Sequence, residues 1–441
     1  MGLPIPGGEF RGARSPATIW LILINIAVYL LTSYENSFIA ISDRWVGAGA
    51  FIPALIAKPD QAYRLFTSMF LHANLIHIFF NMLFLYNFGK PVETALGSSR
   101  YLALYFLAGL LSEVFHTAFI PLEGAYSALV PAIGASGAIS GVLGAYLLLF
   151  PGTKLRMCFL YFFFPLCFTM RAAAYLIFWF ALQIFQGYLG ESLGVAVFAH
   201  AGGFIGGLAL LPLFTTEERL QLLRAYTSMH NFFYRIFFFK PGLSSSSKVV
   251  ISLLIGIVAA GAVYSAVYAE KTGEVSKILS FSVKSNGVSE SESTTVQLQG
   301  NRVYIAPITS DSVRVVVNRL RAMSLIYNKE NSGKTVVVDK QATATVNNIP
   351  VRIQIKASLS FDGSGVLESG RGYISTDVLR CDQYGRCVVG ERRSYEFEAR
   401  TEASIAGFKG IPISGLSMLS LLMSVIAIIN IGRSEHYAII P

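Results

Sequence analysis

Ala196-Val197-Phe198-Ala199-His200-Ala201-Gly202-Gly203-Phe204-Ile205-Gly206-Gly207-Leu208 places one ionisable side chain inside an apolar run, with two glycine pairs four residues apart behind it. A run of this kind needs about 17 to 25 residues to cross a bilayer, and the apolar stretch from 193 to 214 meets that length. Glycines at i and i+4 share one helix face and let a neighbouring backbone approach closely. An ionisable group in a membrane span is costly, so His200 is a functional candidate; its bland reading is a histidine hydrogen-bonded between helices.

Further apolar runs lie near 17–33, 73–89, 101–120, 136–151, 172–188, 249–269 and 411–431. They predict an all-α polytopic membrane protein with eight spans, six packed together and two set apart. The composition agrees, with 53% hydrophobic and 14% charged residues among 441 and a mean hydropathy of +0.54, values outside the usual soluble range. The stretch from Met157 to Met170 is apolar but broken by Pro165, and reads as interfacial or re-entrant rather than as a crossing.

The net charge of +9 is not spread as on a nucleic-acid-binding surface, and no nucleic-acid partner is expected. Basic residues instead cluster between runs: Arg11 and Arg14, then Lys90 and Arg100, then Lys154, Arg156 and Arg171, then Arg219, Arg224, Arg235 and Lys240. The positive-inside bias makes that side cytoplasmic. The first run, after two arginines and with no small-residue cleavage site behind it, reads as a retained anchor.

The expected organisation is a cytoplasmic N-terminus over 1–16, a six-span core over 17–214, and a basic cytoplasmic linker over 215–248, a linker or surface helix containing the run Ser244 to Ser247. A seventh span over 249–269 and an eighth over 411–431 then flank a polar, β-rich extracytoplasmic domain over 271–408, and a cytoplasmic tail covers 432–441. Val303 to Ile305, Val313 to Val317, Thr335 to Val338 and Val351 to Ala357 alternate like strands and predict an antiparallel sheet or sandwich. Cys381 and Cys387 flank a short polar turn there, a spacing open to a disulfide in an oxidising compartment.

Two other segments carry chemistry. Gly134-Ala135-Ser136-Gly137-Ala138-Ile139-Ser140-Gly141 opens the fourth run with a serine among small residues. Ser136 is either a helix N-cap or, if its helix meets the His200 helix, a hydroxyl within hydrogen-bond reach of an imidazole. His72-x4-His77-x3-Asn81 sets His77 and Asn81 on one helical face. Donors on such a face suit an oxyanion hole. A zinc site is the competing reading of the histidines, but the spacing lacks the H-E-x-x-H arrangement and no carboxylate accompanies it. No metal and no cofactor are expected.

Tyr63-Arg64-x-Phe66-Thr67, His72-x4-His77-x3-Asn81, Glu93-x3-Gly97, Gly134-x-Ser136-Gly137 and His200-x-Gly202-Gly203-x-x-x-Gly207, in that order, resemble the rhomboid family of intramembrane serine proteases. The resemblance covers residues 17–214 and implies a six-helix rhomboid-like bundle with Ser136 as nucleophile and His200 as general base. It also implies an oxyanion hole of His77, Asn81 and the Ser136 backbone N–H, supported by His72 and shaped by Gly134. Arg64, Glu93 and Arg100 carry over as structural residues. Some members of the family place an aromatic residue four after the serine, against the histidine ring; Ser140 stands there in this chain, so ring orientation must come from elsewhere.

The partners so implied are transmembrane protein substrates and the lipid bilayer, with the active site opening toward the extracytoplasmic face of the cell membrane. The alternative is a catalytically inactive rhomboid-like binder or quality-control scaffold, against which the presence of both Ser136 and His200 argues. A transporter using intramembrane histidines would call for internal hydropathy repeats, and none stands out. Glu113 and His116 receive no catalytic role.

Overall fold

The computed structural model describes residues 3–6, 14–123, 125–161, 164–190, 196–230, 242–268, 275–285, 287–299, 302–306, 308, 310–346, 349–381, 387–406 and 411–439. The chain divides into two units, Met1–Lys271 with Gly410–Pro441, and Thr272–Lys409.

The first unit is helical, with α1 (Pro16–Ser33), α2 (Leu75–Phe84), α3 (Lys90–Leu96), α4 (Ser98–Ala118), α5 (Ser136–Leu149), α6 (Ala172–Leu189), α7 (Val197–Phe214), α8 (Glu217–His230), α9 (Ser245–Tyr268) and α11 (Ile413–Gly432). Among the described residues, α1 with its continuation to Asn36, α4, α6, α7, α9 and α11 are the six helices long and apolar enough to cross a membrane. The run expected over 73–89 is helical too, but passes from α2 through one π turn, Leu85–Gly89, into α3. The run expected from 136 gives the short helix α5, of 14 residues, rising about 21 Å against about 30 Å of hydrocarbon. Every residue of α5 after Ser136 is buried, so protein rather than lipid surrounds it.

Helix α7 packs against both α4 and α5, and α11 packs against α7 and α9. Asn430 on α11 donates to the carbonyls of Leu208 (3.0 Å) and Ala209 (3.1 Å) on α7. The Leu208 carbonyl is open to it because Pro212, four residues on, lacks the N–H that Leu208 would otherwise accept. Polar side chains also close the α1 and α3 junction, where the Glu93 carboxylate accepts from the N–H groups of Ala17 (2.9 Å) and Thr18 (2.8 Å) and from the Thr18 hydroxyl (2.7 Å). A carboxylate at a helix N-terminus meets unpaired donors and the positive end of the helix dipole.

Two segments that the sequence left coarse take a definite form here. Residues 157–161 and 164–170 lie in two paired antiparallel strands, β2 (Lys154–Tyr161) and β3 (Phe164–Arg171), with β1 (Leu3–Pro6) beside β2. Aromatic residues favour strands, and Pro165 is tolerated because β3 is an edge strand. The serine run 244–247, open to a linker or a surface helix from the sequence, leads into α9: the Ser244 hydroxyl accepts from the Ser247 N–H (3.1 Å), an N-cap.

The second unit is a seven-stranded antiparallel sheet in the order β6-β5-β4-β10-β9-β8-β7. Its strands are β4 (Val275–Ser285), β5 (Val288–Gln299), β6 (Arg302–Ile305), β7 (Thr335–Val346), β8 (Ile349–Phe361), β9 (Leu367–Cys381) and β10 (Cys387–Ala406). One helix, α10 (Asp311–Ala322), packs on it. The strand expected at Val313 to Val317 is therefore part of α10. Ser310 accepts from the Val313 N–H as its N-cap, and Val313, Val316, Val317 and Leu320 recur at helical spacing on the buried face. Cap and periodicity together outweigh the strand preference of valine. In the sheet register Cys387 stands opposite Cys381; the intervening residues 382–386 lie outside those described.

Lys277 on β4 is almost wholly buried and pairs with Asp362 at 2.5 Å. Burial alone would raise the Asp362 carboxyl, but the Lys277 ammonium, the Ser364 hydroxyl and the Val366 N–H hold it below the ordinary value. A carboxyl lowered in the folded state contributes stability above the ordinary Asp range near 4 and loses it as pH falls through the lowered value. Asp362→Asn leaves a buried ammonium without its counter-charge and is expected to cost about 3 kcal/mol, the low end for a broken buried pair because Asp362 keeps some contact with water. Hydrogen exchange across β4 to β10 reads this loss; unchanged protection contradicts it.

Candidate functional site

Ser136 is the first residue of α5, and the residue at its N-cap, Ala135, makes no side-chain cap. The Ser136 hydroxyl is not spent on its own helix: Oγ lies 2.8 Å from Nε2 of His200 on α7. Both residues are half-buried. They are 64 positions apart in the chain, and glycines bring them together. A Cβ at Gly203 would lie 2.0 Å from the Gly137 carbonyl oxygen, one at Gly207 would lie 1.9 Å from that of Gly141, and one at Gly144 would lie 2.2 Å from that of Phe204. The α5 and α7 backbones thus touch along a seam that no larger residue fits.

The segment entering α5 turns at Gly134, whose φ of +126° disfavours any side chain. Its N–H donates to the Ser68 carbonyl (2.9 Å). The space where a Cβ would stand is 2.8 Å from His77 Nε2 and 3.6 Å from Asn81 Nδ2. His77 and Asn81 come from α2, which Asn74 caps by accepting from the His77 N–H (2.9 Å). His77 Nδ1 accepts from the Ala73 N–H (3.3 Å), which leaves the ring proton on Nε2, facing Gly134. Asn81 Nδ2 is buried with no hydrogen-bond partner among the described residues. Two side-chain donors therefore converge beside the turn before Ser136. His72 stands behind them, fully buried, its ring edge-on to His77 at 5.1 Å and its Nδ1 3.2 Å from the Phe70 carbonyl.

The other side of His200 carries groups that the sequence reading missed. Nδ1 lies 2.8 Å from Oε1 of Gln183 on α6, and the Trp179 ring lies 6.3 Å from the imidazole at a tilt of 31°. Ser140 turns back to its own helix and donates to the Ser136 carbonyl (2.7 Å). The available signal was Gln183 itself, an amide in an apolar run, four residues after Trp179. Arg64 is a loop tie, donating to the carbonyls of Ala50 (2.9 Å) and Gly47 (2.8 Å). Arg100 is exposed, and Glu113 and His116 lie buried on α4. Among the described residues there is no cluster of three or more His, Cys, Asp or Glu able to hold a metal.

A multi-pass membrane helix bundle with a serine hydroxyl held against a histidine defines the class. Residues 59–217 match the Rhomboid domain model, so this part of the chain is a rhomboid-like domain. It is 33% identical over 138 residues to the Rhomboid protease GluP of Bacillus subtilis, covering 31% of this chain and 25% of that protein. It is 34% identical over 168 residues to RHOMBOID-like protein 1 of Arabidopsis thaliana, 37% of each chain. A third relative, 28% identical over 101 residues, is named Inactive rhomboid protein 1, of Drosophila melanogaster; the match covers 23% of this chain and 7% of that one. The matches thus span well under half of these relatives.

Gly203→Ala forces a methyl group onto the Gly137 carbonyl, a backbone atom that cannot swing aside. The expected loss is about 3 kcal/mol, the upper end for overpacking, read by thermal unfolding of the purified full chain in detergent. Unchanged stability contradicts a close α5–α7 seam.

Proposed function

We propose that this chain is an intramembrane serine endopeptidase that cleaves transmembrane or juxtamembrane segments of other membrane proteins. The observation that carries the reading is the 2.8 Å contact between Ser136 Oγ and His200 Nε2. A neutral hydroxyl is a poor nucleophile; an imidazole that takes its proton makes attack on a carbonyl carbon feasible. The proton passes to Nε2 as the C–O bond forms, and returns to the leaving amine as the C–N bond breaks. Water then hydrolyses the acyl-enzyme by the same route.

The charge that develops on the carbonyl oxygen is met by donors fixed in advance. These are His77 Nε2–H, Asn81 Nδ2–H and the Ser136 N–H, which as the first in its helix has no intrahelical acceptor. His72 buttresses the His77 ring, and Gly134 leaves room for the substrate carbonyl between the donors and the nucleophile. A helix only about 21 Å long beginning at Ser136 supports a nucleophile below the membrane surface, where a substrate helix must unwind to expose its carbonyls. Substrates with Gly, Pro or small polar residues near the outer interface are therefore the class that fits.

In this reading residues 17–214 are the catalytic core, 215–248 join it on the cytoplasmic side to the spans over 249–269 and 411–431, and 271–408 stand outside the cytoplasm. The protein resides in the cell membrane, and the site opens toward the extracytoplasmic face. The charge bias of the loops supports this orientation.

Ser136→Ala and His200→Ala are each expected to abolish cleavage of single-span substrates, with the double variant no worse than either, because the pair acts as a unit. Asn81→Ala is expected to be milder, losing roughly 2.7–4 kcal/mol of transition-state stabilisation. Cleavage by folded Ser136→Ala at the wild-type rate rejects the mechanism; binding of the same substrates with no cleavage by the wild type favours an inactive scaffold.

For orientation, single cysteines placed in the β4–β5 turn and in α8 are expected to react from opposite sides of sealed cells with an impermeant maleimide, the turn from outside. Labelling of both from the same side contradicts the proposed topology.

A further inference from the structure

The dyad reading leaves open what keeps the His200 ring in a productive state, and α6 supplies a candidate. A neutral imidazole carries one N–H. For Nε2 to accept the Ser136 proton it must present a lone pair, so the ring proton must sit on Nδ1. Nδ1–H then needs an acceptor, and Gln183 Oε1 stands 2.8 Å from it. A protonated Nε2 would reverse both bonds and leave Ser136 without a base. The amide orientation that presents Oε1 is the one compatible with the Ser136 contact.

The position is built rather than incidental. Gln183 is buried, one helical turn beyond Trp179 on the same face of α6. That face meets the corresponding face of α7, where His200 is followed one turn later by Phe204. Trp179 lies 6.3 Å from the His200 ring and 5.8 Å from the Phe204 ring, and Phe180 stacks on Phe204 at 4.7 Å. The aromatic contacts hold α6 against α7, and the amide is thereby set at a fixed distance from Nδ1. Ser140, whose hydroxyl is committed to the Ser136 carbonyl, offers the ring no flank.

We propose that Gln183 is a positioning residue, which fixes the tautomer and orientation of His200 by accepting the Nδ1 proton, with Trp179 as the lateral wall of the ring. The inference rests on the reading of Ser136 and His200 as nucleophile and base. A neutral amide does part of the work of the carboxylate in a soluble serine-protease triad. It orients the ring without burying a second charge in an apolar span, where an ionised carboxylate is costly.

The test uses the purified full chain, the labelling rate of Ser136 by a fluorophosphonate as a function of pH, and 15N spectra of the His200 imidazole. Gln183→Met keeps the side-chain length and removes the acceptor. It is expected to label about 10²-fold more slowly, the scale of a misplaced catalytic group, with thermal unfolding unchanged and the Nδ1–H signature of the wild type lost. Gln183→Glu is expected to restore labelling and move the acid limb of the profile to higher pH, because a carboxylate beside Nδ1 favours the imidazolium.

Labelling of folded Gln183→Met at the wild-type rate overturns the proposal, as does a wild-type spectrum with the proton on Nε2. Should Gln183→Met fail to fold, the Glu variant decides, and an unmoved acid limb overturns the proposal. Failure of the dyad reading looks different: wild-type Ser136 would not label at any pH, while the tautomer and its dependence on Gln183 would still be read from the spectra.

Discussion

The contact between the backbones of α5 and α7 is the constraint on which the site depends. Interhelical distances in ordinary packing are about 8–10 Å, set by the side chains at the crossing. Here Gly203 and Gly207 on one helix meet the carbonyls of Gly137 and Gly141 on the other, at positions where even a methyl group would collide. Lipid offers little hydrophobic drive for helices to associate, so close van der Waals packing of small residues takes its place. The same closeness sets the Ser136–His200 distance. A serine and a histidine are short-reaching side chains, and they meet across a helix pair only where that pair is nearly in backbone contact.

Around this seam several polar groups away from water are paired across helices, as a membrane interior favours. Glu93 closes the exposed N–H groups of α1, Asn430 binds the Leu208 and Ala209 carbonyls on α7, and Tyr188 on α6 donates to the Ile257 carbonyl of α9 (2.9 Å). These bonds hold outer helices to inner ones at points where hydrophobic contact alone would let them slide. At the site itself, Asn81 Nδ2 is buried without a partner among the described residues. A buried unpaired donor is unfavourable in a resting fold. In the proposed mechanism it acquires its acceptor when negative charge appears on the substrate oxygen.

One segment is misread, and two others take their form only from packing and pairing. Val313 to Val317 alternate in a way that satisfies a strand, yet every third or fourth residue through Leu320 is also apolar, and five residues are too few to separate period 2 from period 3.6. Ser310 and the sheet surface under the helix decided it. Residues 157–170 show no periodicity of either kind, and their two strands depend on pairing with each other and with residues 3–6, which lie far away in the chain. The run at Ser244 to Ser247 left linker and surface helix open by composition, and serine before an apolar run is also a helix start.

The sequence by itself determined that the chain crosses a membrane several times, because a long apolar run has few ways to satisfy its backbone except as a helix. It also determined which residues were candidates, because Ser136, His200, His77 and Asn81 stand out as polar groups among apolar neighbours or glycines. Glycine spacing even marked the helix faces that would touch. Tertiary structure alone decided which helix turns which face to His200. Gln183 and Trp179 lie on α6, and nothing local distinguishes a glutamine that faces a histidine from one that faces another carbonyl. That choice is made by the rotation of α6 about its axis, set by Phe180 stacking on Phe204, a contact between residues distant in the chain whose geometry appears only once the bundle has packed.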